Sequence, residues 1–108
     1  MKNDAIYLQH ILEAIGAIEF YLADIDYETF IGNTMAVDAV VRQLEIIGEA
    51  SKNLSEKFTA DNVESPLREA IEMRNFLIHE YFGVNTKIVW ETYKNDLPIL
   101  KEFVESRL

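Results

Sequence analysis

From Ala5 onward, large apolar residues recur every three or four positions along most of the chain, the interval that places them on one side of an α-helix. Leu8, Leu12 and Ile15 repeat at that interval, and Ile11, Ile18 and Leu22 widen the stripe. A strand would instead alternate at every second residue. A second stripe reads Val37, Val40, Val41, Leu44, Ile47, Leu54 and Phe58, and breakers are scarce, with four glycines and two prolines in 108 residues. The stretch DIDYETFIGN (24–33) interrupts the first rhythm, with Gly32 and Asn33 as a turn and Asn33 or Thr34 as cap of a second, long helix. Gly48 falls inside that helix at a cost of about 1 kcal/mol relative to alanine, so close approach of a neighbouring helix is the expected compensation. Thr59–Glu64 reads as a loop, and Ser65-Pro66 opens a third helix that stops near Gly83. Thr86 caps a short fourth helix, and Asn95 or Asp96 with Pro98 starts a fifth. The pattern predicts an all-α antiparallel bundle of four to five helices, forming a single domain over residues 1–108.

Charge and composition narrow the function classes. The net charge is −9, from 19 acidic and 10 basic side chains, with no basic run. Affinity for a phosphate backbone normally rests on clustered Lys and Arg, so stable DNA binding is not expected and any RNA contact is local, made in a cleft. An acidic surface also suits a basic protein partner. Absence of cysteine excludes disulfides and thiolate zinc sites. No apolar run approaches the roughly 20 residues that cross a bilayer, and the N-terminus is not patterned as a secretory signal. A soluble, cytoplasmic protein with no membrane contact is expected. No glycine-rich phosphate loop or nucleophile elbow is present, and nothing calls for a metal or cofactor.

The chemistry-bearing stretch is RNFLIHEYF (74–82), which holds one of the chain's two histidines. On a helix, Tyr81 lies about 20° behind Arg74, Asn75 about 100° and His79 about 140° ahead. Asn75 and His79, four apart, are neighbours, whereas Arg74 and His79 diverge and bracket a groove. Leu67, Ile71 and Leu77 are read as a packing face opposite a mixed polar–aromatic face. Two copies of the helix in a symmetric dimer would complete a composite site, each lending its Arg and His. Histidine transfers protons near neutral pH. Arginine offers a fork of donors to phosphate oxygens, and asparagine orients by hydrogen bonding. These are the needs of metal-independent RNA cleavage by the ribose 2′-hydroxyl. On spacing alone the ordinary reading is a structural histidine and a surface pair between Arg74 and Glu69 or Glu72.

Other candidates read more plainly. Arg42, Glu45 and Glu49 share a face of the second helix within about 60°, and the ordinary reading is an i, i+3 ion pair plus a solvated glutamate. The functional alternative is that the carboxylates, with Glu45 or Glu49 facing the cleft, orient Arg74 or hold a metal. His10 reads as a packing or surface residue, without a partner at metal-ligand spacing. Trp90 and Tyr93, with Ile88, Val89 and Leu97, read as core closure. Base stacking would need aromatics exposed beside basic residues.

RNFLIHEY fits R-x4-H-x-Y and resembles the HEPN superfamily, specifically its small HepT-like toxins. The resemblance extends over RQLEIIGEASKNLSEKF (42–58) and MRNFLIHEYFGVNTKIVWETYKNDLPIL (73–100), in the family's order. It implies a HEPN-type bundle and a metal-independent ribonuclease acting as a homodimer or larger oligomer, with Arg74 and His79 catalytic and Asn75 supporting. It also implies a minimal nucleotidyltransferase antitoxin as partner, which silences the toxin by transferring AMP to Tyr81. A second reading is a non-catalytic helical adaptor that binds a nucleotidyltransferase or another defence protein.

Overall fold

The computed structural model describes residues 3–78 and 83–108, all in helices, turns and connecting segments with no strand among them. The helices are α1 (Asp4–Tyr21), α2 (Tyr27–Ile31), α3 (Thr34–Lys52), α4 (Glu56–Asp61), α5 (Leu67–Ile78), α6 (Thr86–Glu91) and α7 (Leu97–Arg107), with a π-helical turn at Thr92–Asp96. The all-α expectation holds. Helix α3 is central and packs against both α1 and α5, while α7 contacts α1. Leu8, Ile11, Ile15 and Ile18 of α1 meet Val37, Val40, Leu44 and Ile47 of α3 in one hydrophobic cluster, each side contributing the 3–4 spacing visible in its sequence.

Local chemistry sets most helix starts. Asn3, Asp26, Asn33, Ser55 and Asn85 each accept a hydrogen bond from the backbone N–H three residues on, which satisfies a donor that the first turn leaves without a partner. Asn33 is the expected cap of the second long helix. The fourth predicted helix is capped by Asn85, with Thr86 as its first residue. Helix α5 starts at Leu67, whose N–H lies 3.4 Å from Ser65 Oγ, and the Pro66 carbonyl accepts from Ala70 N–H.

Two short helices, α2 and α4, take the count beyond four to five. The interrupting stretch 24–33 is itself partly helical, because Asp26 caps the short α2. The second long helix does not run through to Phe58. Asn53 N–H closes α3 on the Glu49 and Ala50 carbonyls, and Ser55 N–H and Oγ each donate to the Asp4 carboxylate at 2.7 Å. That carboxylate, 51 residues away in sequence, adds a distant contact to the local Asn53 closure and Ser55 cap. Thr59–Asp61, read as loop, belongs to the resulting α4.

The fifth helix has no separate start: the chain continues from α6 through the π turn, and Asp96 makes no side-chain cap. Pro98 explains the wide turn, since a proline ring inside a helix clashes with the carbonyl four residues earlier and supplies no N–H. Leu97 N–H instead reaches Thr92 O, five residues back, and the helix passes the proline without ending. Trp90 packs on Tyr27, Phe30 and Tyr93 with ring centroids 5.3–5.8 Å apart, so the aromatic pair closes the core with Val89 and Leu97 as expected, whereas Ile88 is exposed. Among the described residues, no helix is long and apolar enough to cross a membrane.

At the π turn, desolvation raises the Asp96 carboxyl pKa, and the negative charges of Glu69 and Glu91 add to the effect. A folded-state pKa above the unfolded one means that stability is greatest with the acid protonated and falls as pH rises through the folded value. Asp96→Asn therefore raises the melting temperature at pH 7, and the gain disappears below about pH 4, where the unfolded acid is also protonated. Thermal melts of both proteins across that range check it.

Candidate functional site

The site begins with a glycine. A Cβ built on Gly48 of α3 would overlap Arg74 Cβ and lie 2.8 Å from the Ala70 carbonyl oxygen and 2.9 Å from Arg74 Cγ. The absence of a side chain there lets α5 lie directly on α3, as the sequence anticipated, and the residue of α5 that fills the space is Arg74. This corrects the predicted faces of the helix. Leu67, buried at the start of α5, lies seven residues before Arg74, which nearly closes two turns and puts both on the same side. Arg74 therefore emerges from the packing side, at the α3–α5 seam, with only 23% of its side chain exposed.

Two partners fix its guanidinium. Nη2 pairs with Glu49 Oε2 at 3.0 Å and Nη1 donates to Asn75 Oδ1 at 3.0 Å. Asn53 Nδ2 donates to Glu49 Oε1 at 3.3 Å and to the Glu49 carbonyl at 2.9 Å, so the carboxylate is itself held. The ordinary reading of Glu49 as a solvated side chain is thus replaced by an ion pair between helices, and Arg42 makes no ion pair with Glu45 among the described residues. Glu49 remains 53% exposed, and pairs so placed contribute only about 0–1 kcal/mol. Orientation is the larger consequence. The two contacts occupy two of the five N–H donors of the guanidinium. Glu72, two residues before Arg74 and about 160° round the helix, pairs with Arg68 at 3.2 Å, away from this point.

Arg74 opens into a groove of about 380 Å³ between α1, α3 and α5. Arg42, Glu45 and Glu49 line it from α3, Tyr7 and His10 from α1, and Ile78 from the end of α5. Asn75 bears on it through Arg74. His79 and Tyr81, along with Glu80 and Phe82, lie outside the described residues. Reading each helix alone missed Tyr7 and weighed His10 and Arg42 only as surface, packing or ion-pair residues, because no pattern within α1 shows that it shares a groove with a residue of α5. A larger recess of about 590 Å³ between α3, α5 and α7 is lined by core-edge side chains such as Leu44, Met73 and Leu100, with Glu69 and Asp96 at its margin, and does not include Arg74. Among the described residues, no group of three or more His, Asp or Glu side chains is arranged to hold a metal ion.

The geometry defines an all-α protein whose central helix pair holds an arginine, pre-oriented by a carboxylate and an amide, at the mouth of a polar and aromatic groove. The chain belongs to the HepT-like ribonuclease family, whose profile, described as "Ribonuclease HepT-like", matches residues 11–107. It is 47% identical over 95 residues to the "Probable ribonuclease HepT" of Thermococcus cleftensis, covering 88% of this chain and 86% of that one. It is 42% identical over 108 residues to a "Putative RNase" of Caldanaerobacter subterraneus subsp. tengcongensis, covering 100% of this chain and 96% of that one. A third relative, the "Gamma-glutamylcyclotransferase and putative RNase" of Methanocaldococcus jannaschii, is 46% identical over 101 residues. That alignment covers 94% of this chain but only 46% of the relative, so the chain spans less than half of that longer protein. No solved structure matches the chain significantly.

Gly48→Ala tests the α3–α5 seam. In an exposed helix the change would stabilise by about 1 kcal/mol. Here the added methyl meets atoms on the α5 backbone that cannot swing away, so a net loss of about 1–3 kcal/mol is expected in urea denaturation.

Proposed function

We propose that the protein is a metal-independent endoribonuclease of HEPN type, working as a homodimer or larger assembly. The observation that carries this reading is Arg74, held by Glu49 and Asn75 at the mouth of a groove, in a chain of the HepT-like ribonuclease family. Arg74 receives a non-bridging oxygen of the scissile phosphate and stabilises the charge that grows there as the ribose 2′-hydroxyl attacks phosphorus. His79, five residues on, accepts the 2′-hydroxyl proton, and the imidazolium of the second copy's equivalent histidine protonates the departing 5′-oxygen. The products are a 2′,3′-cyclic phosphate and a 5′-hydroxyl. Asn75 serves the reaction by holding Arg74, since its side-chain oxygen already accepts from the guanidinium.

The regulatory half of the reading makes the protein the toxin of a cytoplasmic toxin–antitoxin pair. Its partner is a minimal nucleotidyltransferase that transfers AMP to Tyr81. The phosphodiester so formed carries a negative charge seven residues from Arg74 and competes with RNA for that cation. The alternative, a non-catalytic adaptor for a nucleotidyltransferase or another defence protein, draws support from the net charge of −9 and from Glu45 and Glu49 balancing Arg42 and Arg74 in the groove.

Purified wild type is expected to cut RNA to cyclic-phosphate ends, and His79→Ala and Arg74→Ala each to reduce the rate by about 10²–10⁴-fold with the fold retained. Equal, background-level cleavage by all three proteins would leave the adaptor standing. Co-expression with an active nucleotidyltransferase partner is expected to add one AMP mass to the wild type and none to Tyr81→Phe.

A further inference from the structure

The groove contains more than the arginine requires. Tyr7 and His10, one turn apart on α1, line it beside Arg74 and Arg42, with ring planes at 90° and centroids 6.2 Å apart. Trp90 and Tyr93 spend their rings on core closure. Tyr7 and His10 instead satisfy the conditions for base stacking: His10 is exposed, Tyr7 is half-buried, and both border a groove that also presents guanidinium groups. The wall is firmly built. Tyr7 packs against the core through one side, and the Asp4 carboxylate one turn earlier is tied to Ser55 by two 2.7 Å hydrogen bonds. The groove volume, about 380 Å³, lies at the small end of ligand sites and is the size for one nucleotide unit rather than a duplex.

We infer that Tyr7 and His10 form a base-stacking wall, which receives an unpaired nucleobase of the RNA whose phosphate Arg74 binds. A base lying flat on one ring abuts the other, because the two planes meet at a right angle. Glu45 and Glu49 in the same groove accept hydrogen bonds from ribose hydroxyls or base amino groups. The substrate class is therefore RNA with an accessible single-stranded nucleotide at the cleaved position, since bases inside an A-form helix are stacked and cannot reach the wall. This rests on the ribonuclease reading and deepens it: Tyr7 and His10 bind substrate, while the chemistry stays with Arg74 and His79.

The test measures binding of a fluorescent oligoadenylate hexamer and of an abasic hexamer of equal charge, in a His79→Ala background that does not cut. The parent is expected to bind the oligoadenylate about five- to a hundredfold more tightly, the range that aromatic stacking of a base supplies. His10→Ala and, independently, Tyr7→Leu reduce that ratio severalfold while leaving abasic binding unchanged, and His10→Phe restores it. His10 is exposed, so its replacement reports on binding even where Tyr7→Leu disturbs packing, which circular dichroism checks. A ratio near one in the parent, or an unaltered ratio in both variants, overturns the stacking wall alone if the wild type cuts RNA. If neither hexamer binds and the wild type does not cut, the ribonuclease reading falls with it.

Discussion

The contact on which the rest depends is that of α5 with α3 at Gly48. Only a residue without a side chain lets the Arg74 Cβ and Cγ and the Ala70 carbonyl come so close, and that proximity decides where the guanidinium emerges. An arginine on an ordinary helix face would point to water and pay the entropy of a long mobile side chain whenever it bound a phosphate. Arg74 is largely enclosed by the seam and carries its partners with it, Glu49 from the helix beneath and Asn75 from its own. Pre-orientation of this kind lowers the cost of binding without adding a contact.

The groove that results is electrically mixed. Two arginines and two glutamates line it in a protein with an excess of nine negative charges, so long-range attraction of RNA is weak. Recognition then falls to short-range contacts, and the aromatic corner on α1 offers one that does not depend on net charge. On the ribonuclease reading proposed above, such a surface favours an RNA segment that fits the groove over polyanions in general.

Much of the fold was legible because helix formation is encoded locally. The 3–4 spacing in α1 and α3, the Asn33 cap and the cost of Gly48 all follow from neighbours within a turn or two. The departures from expectation have different causes. At the break after α3, the local Asn53 closure and Ser55 cap are joined by a contact from Asp4, 51 residues from Ser55. The helix that continues past Pro98 depends on a π turn whose hydrogen bond reaches one residue farther than the α pattern. Arg74 lies on the packing side of α5 because the seven residues from Leu67 nearly close two turns, a local relation already present in the sequence.

By itself, the sequence determined that the chain is helical and where several helices are capped, because these properties follow from periodicity and residue chemistry, while the grouping of Arg74, Asn75, His79 and Tyr81 in one motif came from the resemblance to the HepT-like family. Tertiary structure alone decided that Glu49 answers Arg74 and that Tyr7, His10 and Arg42 share its groove. Those residues lie on three helices, and their meeting is set by the packing of α1 and α5 against α3, a long-range outcome of core burial that no local pattern records.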